Sequence, residues 1–168
     1  MNKILTFFLI FATLGISVKA QEPKFQAMFV YNFTRTLQWP VDAQKGDFVI
    51  GVFGDSEIFK ELKTFTQDKK VRGEQKIVVE KITESEAGKC QIVVVTKSKN
   101  SDLSTILSAV SGKSTLVITE VSGKTIDGAG ISFSKDDSGI VNYEFSEKNI
   151  KKQNIDVSTS FREVGTAK

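Results

Sequence analysis

Two short groups of residues carry the side chains that could do chemistry. The first is Gly54-Asp55-Ser56, where a dense apolar run gives way to a helical pattern. A turn that opens a helix favours an anion, because free backbone N–H groups and the helix dipole point at it. In an open α/β sheet that strand end is also where ligands sit. Plain capping of the helix by Asp55 or Ser56 explains the same residues and is the stronger reading. The second group is Tyr31, Asn32, Arg35 and Trp39, inside the segment FQAMFVYNFTRTLQWP. Tyr31 and Arg35 are four residues apart, so on a helix they share a face off the apolar stripe. They are expected to be exposed and to touch a partner or ligand through a ring and a guanidinium. Asn32 lies close to the stripe and is expected to bond to backbone, because an unpaired buried amide costs about 1–3 kcal/mol. Trp39 is expected to pack over the turn at Pro40 with its indole N–H bonded.

Other chemistry finds little support: an enzyme working with carboxylates and lysines alone stays open, but no residue pattern points to one. The chain has no histidine, which removes the commonest general base and transition-metal ligand. With one cysteine, Cys90, a zinc site has no donor set. Ser122-Gly123-Lys124-Thr125 and Gly112-Lys113-Ser114 resemble phosphate loops, but Ile118 and Leu107 stand where the leading glycine is needed. Asp136-Asp137 reads as a solvated turn. No catalytic residue, metal or cofactor is therefore expected.

These groups need elements to hold them. Phe25, Met28, Phe29, Phe33 and Leu37 recur at three- and four-residue steps and predict a helix whose core face they form. Trp39-Pro40 ends it. FVIGVFG (48–54), KIVVEKI, CQIVVVT and STLVITEV are short apolar runs that predict buried strands. Between them, GDSEIFKELKTF and SKNSDLSTILSAVSG predict helices, KKVRGEQ a polar turn, and TESEAGK a connection with one helical turn at most. GAGISFS and GIVNYEFS predict an antiparallel hairpin around Asp137-Ser138-Gly139, with the second strand a half-exposed edge. Ser146 is expected to cap a short polar helix. The fold class is α/β: a three-layer α/β/α sandwich, Rossmann-like, with a mostly parallel sheet and a C-terminal antiparallel hairpin.

Residues 1–20 are set apart. A short basic start, the apolar run Ile4 to Ile16 and small residues at Val18 and Ala20 predict a signal peptide cleaved after Ala20. An uncleaved anchor is the weaker alternative, because a span needs about 20 apolar residues. Residues 21–168 are then one domain. Without Lys3 and Lys19 the Lys+Arg total falls from 23 to 21 against 20 acidic residues, a net charge of +1. Nothing in that balance suggests a nucleic-acid partner. Cys90 has no internal disulfide partner. It is expected to be buried and reduced, in the same layer as Ile92 and Val94.

FQAMFVYNFTRTLQWP resembles the opening signature of the YfiR/HmsC-like family of exported bacterial proteins, a helix with a Tyr-Asn-Phe core closing on Trp-Pro. FVIGVFGDSEIFKEL, KCQIVVVTKS, STLVITEV, GAGISFS, VNYEFS and IDVSTSFREV match later pieces in order. The resemblance implies a non-enzymatic periplasmic regulator. It would bind the periplasmic part of an inner-membrane signalling protein, a diguanylate cyclase or a sensor kinase, and hold it inactive. That would set cyclic-di-GMP and biofilm formation. It also implies homodimers. The disulfides used by relatives do not carry over, since only Cys90 is present. Thr159, Phe161 and Arg162 depart from the small or leucine residues usual in the closing segment. A periplasmic module for a small ligand, using the aromatic residues and the strand-end crevice, stands as the alternative function.

Overall fold

The computed structural model describes residues 21–168; the expected signal peptide lies outside them. The first helix, α1 (Glu22–Thr36), runs into a two-residue strand, β1 (Leu37–Gln38). Then follow β2 (Phe48–Phe53), α2 (Ile58–Thr66), β3 (Lys70–Val71), β4 (Gln75–Lys81), β5 (Ile92–Val95), α3 (Leu103–Ala109) and β6 (Leu116–Thr119). The C-terminal part comprises β7 (Ile131–Lys135), β8 (Val141–Phe145), α4 (Glu147–Lys151), β9 (Asp156–Val157), α5 (Thr159–Arg162) and β10 (Thr166–Ala167).

The main sheet has eight strands in the order β10-β8-β7-β6-β5-β2-β4-β3. The pairs from β4 through β2, β5 and β6 to β7 are parallel, while β7–β8 and β3–β4 are antiparallel hairpins. A separate ribbon pairs β1 with β9. Strands alternate their side chains between two cores. In β5, Ile92 and Val94 face the core under α1 and α2, and Val93 and Val95 face the core under α3. The middle strands are buried on both faces, which is why they read as unbroken apolar runs. The α/β class and the mostly parallel sheet are as expected.

Three expectations are corrected. The outer strand of the hairpin, β8, is not a free edge along its whole length, because β10 pairs with it in parallel at Glu144 and Phe145. The polar turn KKVRGEQ contains β3. Cys90 is buried, but it joins the α3 core with Val93 and Val95 rather than Ile92 and Val94. The strand starts only at Ile92, and Cys90 closes a 3-10 turn (Glu84–Lys89), so period-two alternation does not reach it.

The face of α1 also differs from its spacing. Its buried residues are Gln26, Ala27, Val30, Phe33 and Thr34. Phe25 is 42% exposed, and Met28 and Phe29 are half-buried. A helix turns about 100° per residue, so a row of four-residue steps drifts about 40° each time. The row Phe25, Phe29, Phe33, Leu37 thus starts outside the buried arc and ends inside it. Phe29 and Phe33 are ring neighbours of Tyr143, at 5.2 and 4.8 Å between centroids.

Candidate functional site

The strand-end crevice is built where the chain reverses direction across the sheet. From β2 it crosses to β4 on one side and then to β5 on the other, which is the place where α/β sheets bind ligands. Gly54 leaves β2 with φ of +104°, a backbone that suits glycine. A Cβ there would also run into Thr96 Oγ1 and the side chains of Ser98 and Lys99. The Ser98 hydroxyl sits at 2.9 Å from Thr96 Oγ1 and accepts from the Asp55 N–H at 3.4 Å. Glu120, just past β6, accepts from the Lys97 N–H at 2.8 Å and from the Ser56 hydroxyl.

A carboxylate of the chain itself therefore takes donors that an incoming anion would use. Asp55 does not cap α2. It pairs with Lys81 at 2.7 Å, and that hydrogen bond holds its carboxyl below the ordinary value. Ser56 Oγ accepts from the Ile58 N–H at 3.3 Å, so the serine supports the helix start. Beside these groups lies an open cleft of about 560 Å³ between the ends of β2 and β4, with Lys81 and Lys99 at its sides. Three carboxylates in its lining, Asp55, Glu84 and Asp102, against two lysines give it no bias towards anions.

The α1 group divides. Trp39 is buried against Phe48, centroids 5.0 Å apart, and its indole N–H donates to the Gln91 carbonyl at 3.3 Å. It is a structural residue. Asn32 is exposed, and its side chain makes no hydrogen bond among the described residues, contrary to the expected buried amide. The buried arc is centred near Val30, and position 32 falls on the opposite side of the helix. Arg35 is exposed as expected, while Tyr31 is half-buried with its ring edge-on to Phe65 at 5.8 Å.

The structure adds neighbours to Tyr31 and Arg35 from α2 and from the segment KKVRGEQ. Lys69 Nζ stands 4.7 Å from the Phe65 ring centre and 5.5 Å from that of Tyr31. Arg35 Cζ is 6.0 Å from the Tyr31 ring centre. Lys70 and Arg72 complete an open cleft of about 630 Å³. The signal available in sequence was the run Lys69-Lys70-Val71-Arg72-Gly73, a basic cluster around a turn glycine.

The model of the YfiR/HmsC-like family matches residues 23–166. The chain belongs to the YfiR/HmsC-like family. No curated protein matches it. Membership places the chain among regulatory periplasmic proteins at the level of the YfiR/HmsC-like family. Among the described residues no cluster of acidic or sulfur side chains could hold a metal, and no helix is long and apolar enough to cross a membrane.

Proposed function

We propose that the protein is a non-enzymatic inhibitor of an inner-membrane signalling protein, a diguanylate cyclase, whose periplasmic part it binds and holds inactive. The observation that carries this reading is the family match across residues 23–166. In the same proposal residues 1–20 are a leader removed after Ala20, residues 21–168 are one domain, and the protein forms homodimers. Tyr31 and Arg35 are the contact residues of choice, because both reach solvent from one face of α1 and neither sits in the central core. Gly54 and Asp55 are left as structural, since Thr96, Ser98, Lys81 and Glu120 already occupy their surroundings. That occupation also weighs against the small-ligand module at the strand ends.

The test is co-expression with the membrane cyclase of the same cell, reading cyclic-di-GMP. Deleting the protein should raise the nucleotide and restoring it should lower it. Unchanged levels in both directions would refute the cyclase reading, and a sensor kinase would then be tried by its phosphorylation state. Size-exclusion chromatography with light scattering tests the homodimer.

A further inference from the structure

Arg35, Lys69, Lys70 and Arg72 converge on one cleft of about 630 Å³, with Asp68 the single acidic residue in its lining. Among the described residues none of these cations is in an ion pair. Seven other lysines among the described residues are paired, such as Lys45 with Asp42 and Lys124 with Asp127. The excess positive charge here is local, because residues 21–168 carry 21 Lys+Arg against 20 Asp+Glu. One aromatic side chain, Tyr31, lines the cleft, with Phe65 packed against it. Tyr31 and Phe65 meet edge-on, and Lys69 lies over both rings, which fixes the direction in which its ammonium points.

A second observation concerns the backbone. Arg72 and Gly73 are the central residues of the β3–β4 hairpin, with φ of +52° and +78° and the Glu74 N–H bonded to the Val71 carbonyl at 3.1 Å. Both central residues of such a turn need positive φ, which Asn and Gly accept and a long side chain does not favour. An arginine at this position costs stability and gains no ion pair among the described residues. Strain of that kind gathers at places that bind.

We infer that this cleft receives an acidic segment of a protein partner, its carboxylates on Arg35, Lys69, Lys70 and Arg72 and its apolar or aromatic side chain against Tyr31 and Phe65. This rests on the proposed regulatory function and names the surface and the chemistry of its partner. A protein segment fits better than a bilayer. The rings of Tyr31 and Phe65 are half-buried, so no apolar wedge projects from the cation cluster for a membrane to take up.

The experiment uses the purified protein and a labelled glutamate-rich peptide carrying one central tyrosine, read by anisotropy at low and raised salt. Binding should be clear at low salt and weaken as salt rises. Arg72→Asn should weaken it roughly fivefold, the scale of one exposed ion pair. The same change should raise the melting temperature by about 1–4 °C, since asparagine suits the turn. Binding and stability thus move in opposite senses, which a merely structural role for Arg72 would not produce. Combined Arg35→Gln, Lys69→Gln and Lys70→Gln should abolish peptide binding with the fold intact by circular dichroism.

No peptide binding, or equal binding by all variants, would overturn the inference. Capture of anionic phospholipid vesicles or of tripolyphosphate without capture of the peptide would overturn it too. Cyclase inhibition that survives all these substitutions would remove this surface and leave the regulatory reading standing.

Discussion

At the scale of single residues, the two faces of α1 make opposite predictions. Asn32 is exposed and unbonded, so Asn32→Leu should shift the melting temperature by less than about 2 °C, a surface effect within about 0.5 kcal/mol. Tyr31→Ala with Arg35→Ala removes a half-buried ring from Phe65 and should cost more, about 1–2 kcal/mol, while impairing regulation. Thermal melts beside a cyclic-di-GMP reading separate the two effects. Cys90 gives a third expectation. Burial, reinforced by Glu80 and Glu86, pushes its thiol from 9.0 up to about 11. A group raised in the folded state stabilises the fold below its unfolded value and loses that contribution as pH rises through the folded value. Stability should therefore fall between pH 9 and about 11. At neutral pH a bulky thiol reagent should react only as fast as the protein opens. Rapid labelling of the native protein would contradict this.

At the scale of elements, capping and cross-ties are the testable links. Ser146 Oγ accepts from the Asn149 N–H at 3.4 Å and starts α4, as its position in the sequence suggests. Ser146→Ala should cost about 1 kcal/mol, seen as a fall of about 2–4 °C in melting temperature. One residue on, Glu147 accepts from Arg162 Nη2 at 2.8 Å and pairs with Lys151 at 2.8 Å, so it ties α4 to α5. The Arg162 hydrogen bonds, then those of Lys151, pull its carboxyl from 4.5 down to about 2. A depressed carboxyl stabilises above its unfolded value and loses that support as pH falls through the folded one. The tie should therefore loosen between pH 4.5 and about 2, and Glu147→Gln should flatten that part of the acid melt.

The same scale shows what sequence could reveal. β2, β5 and β6 were legible because strands buried on both faces are apolar at every position. β1, β3, β9 and β10 were not, because each has two residues and exists only through a partner distant in the chain or across a tight turn. The candidate cleft was half legible for the same reason. Tyr31 and Arg35 announce themselves by helical spacing. Phe65, Lys69, Lys70 and Arg72 join them only because α2 packs on α1 and the β3 hairpin folds back beside it.

At the scale of the whole molecule, the last ten residues tie the hairpin end of the sheet to the first helix. Phe161, from α5, lies fully buried beneath the hairpin end of the sheet. Its ring meets Phe33 of α1 at 5.6 Å, Phe145 of β8 at 4.9 Å and Tyr143 of β8 at 5.6 Å between centroids. β10 follows at once and covers the far edge of β8. Between them, Gly165 has no room for a Cβ beside the Tyr143 ring. One aromatic side chain thus joins the first helix, the last hairpin and the chain end. Phe161→Ala should cost about 3–5 kcal/mol, the range for emptying a buried aromatic site. A domain of ordinary size is stable by about 5–15 kcal/mol in total, so the variant should fold but melt far lower. Phe161→Leu, which keeps most of the volume and matches the leucine usual in the resembled closing segment, should recover most of the loss. Denaturant titration followed through Trp39, which lies at a distance in sequence beside Phe48, reads whether the loss is shared by the whole sheet. If the Trp39 transition stays put while far-UV circular dichroism drops early, the hairpin end unfolds by itself, and Phe161 anchors only that end.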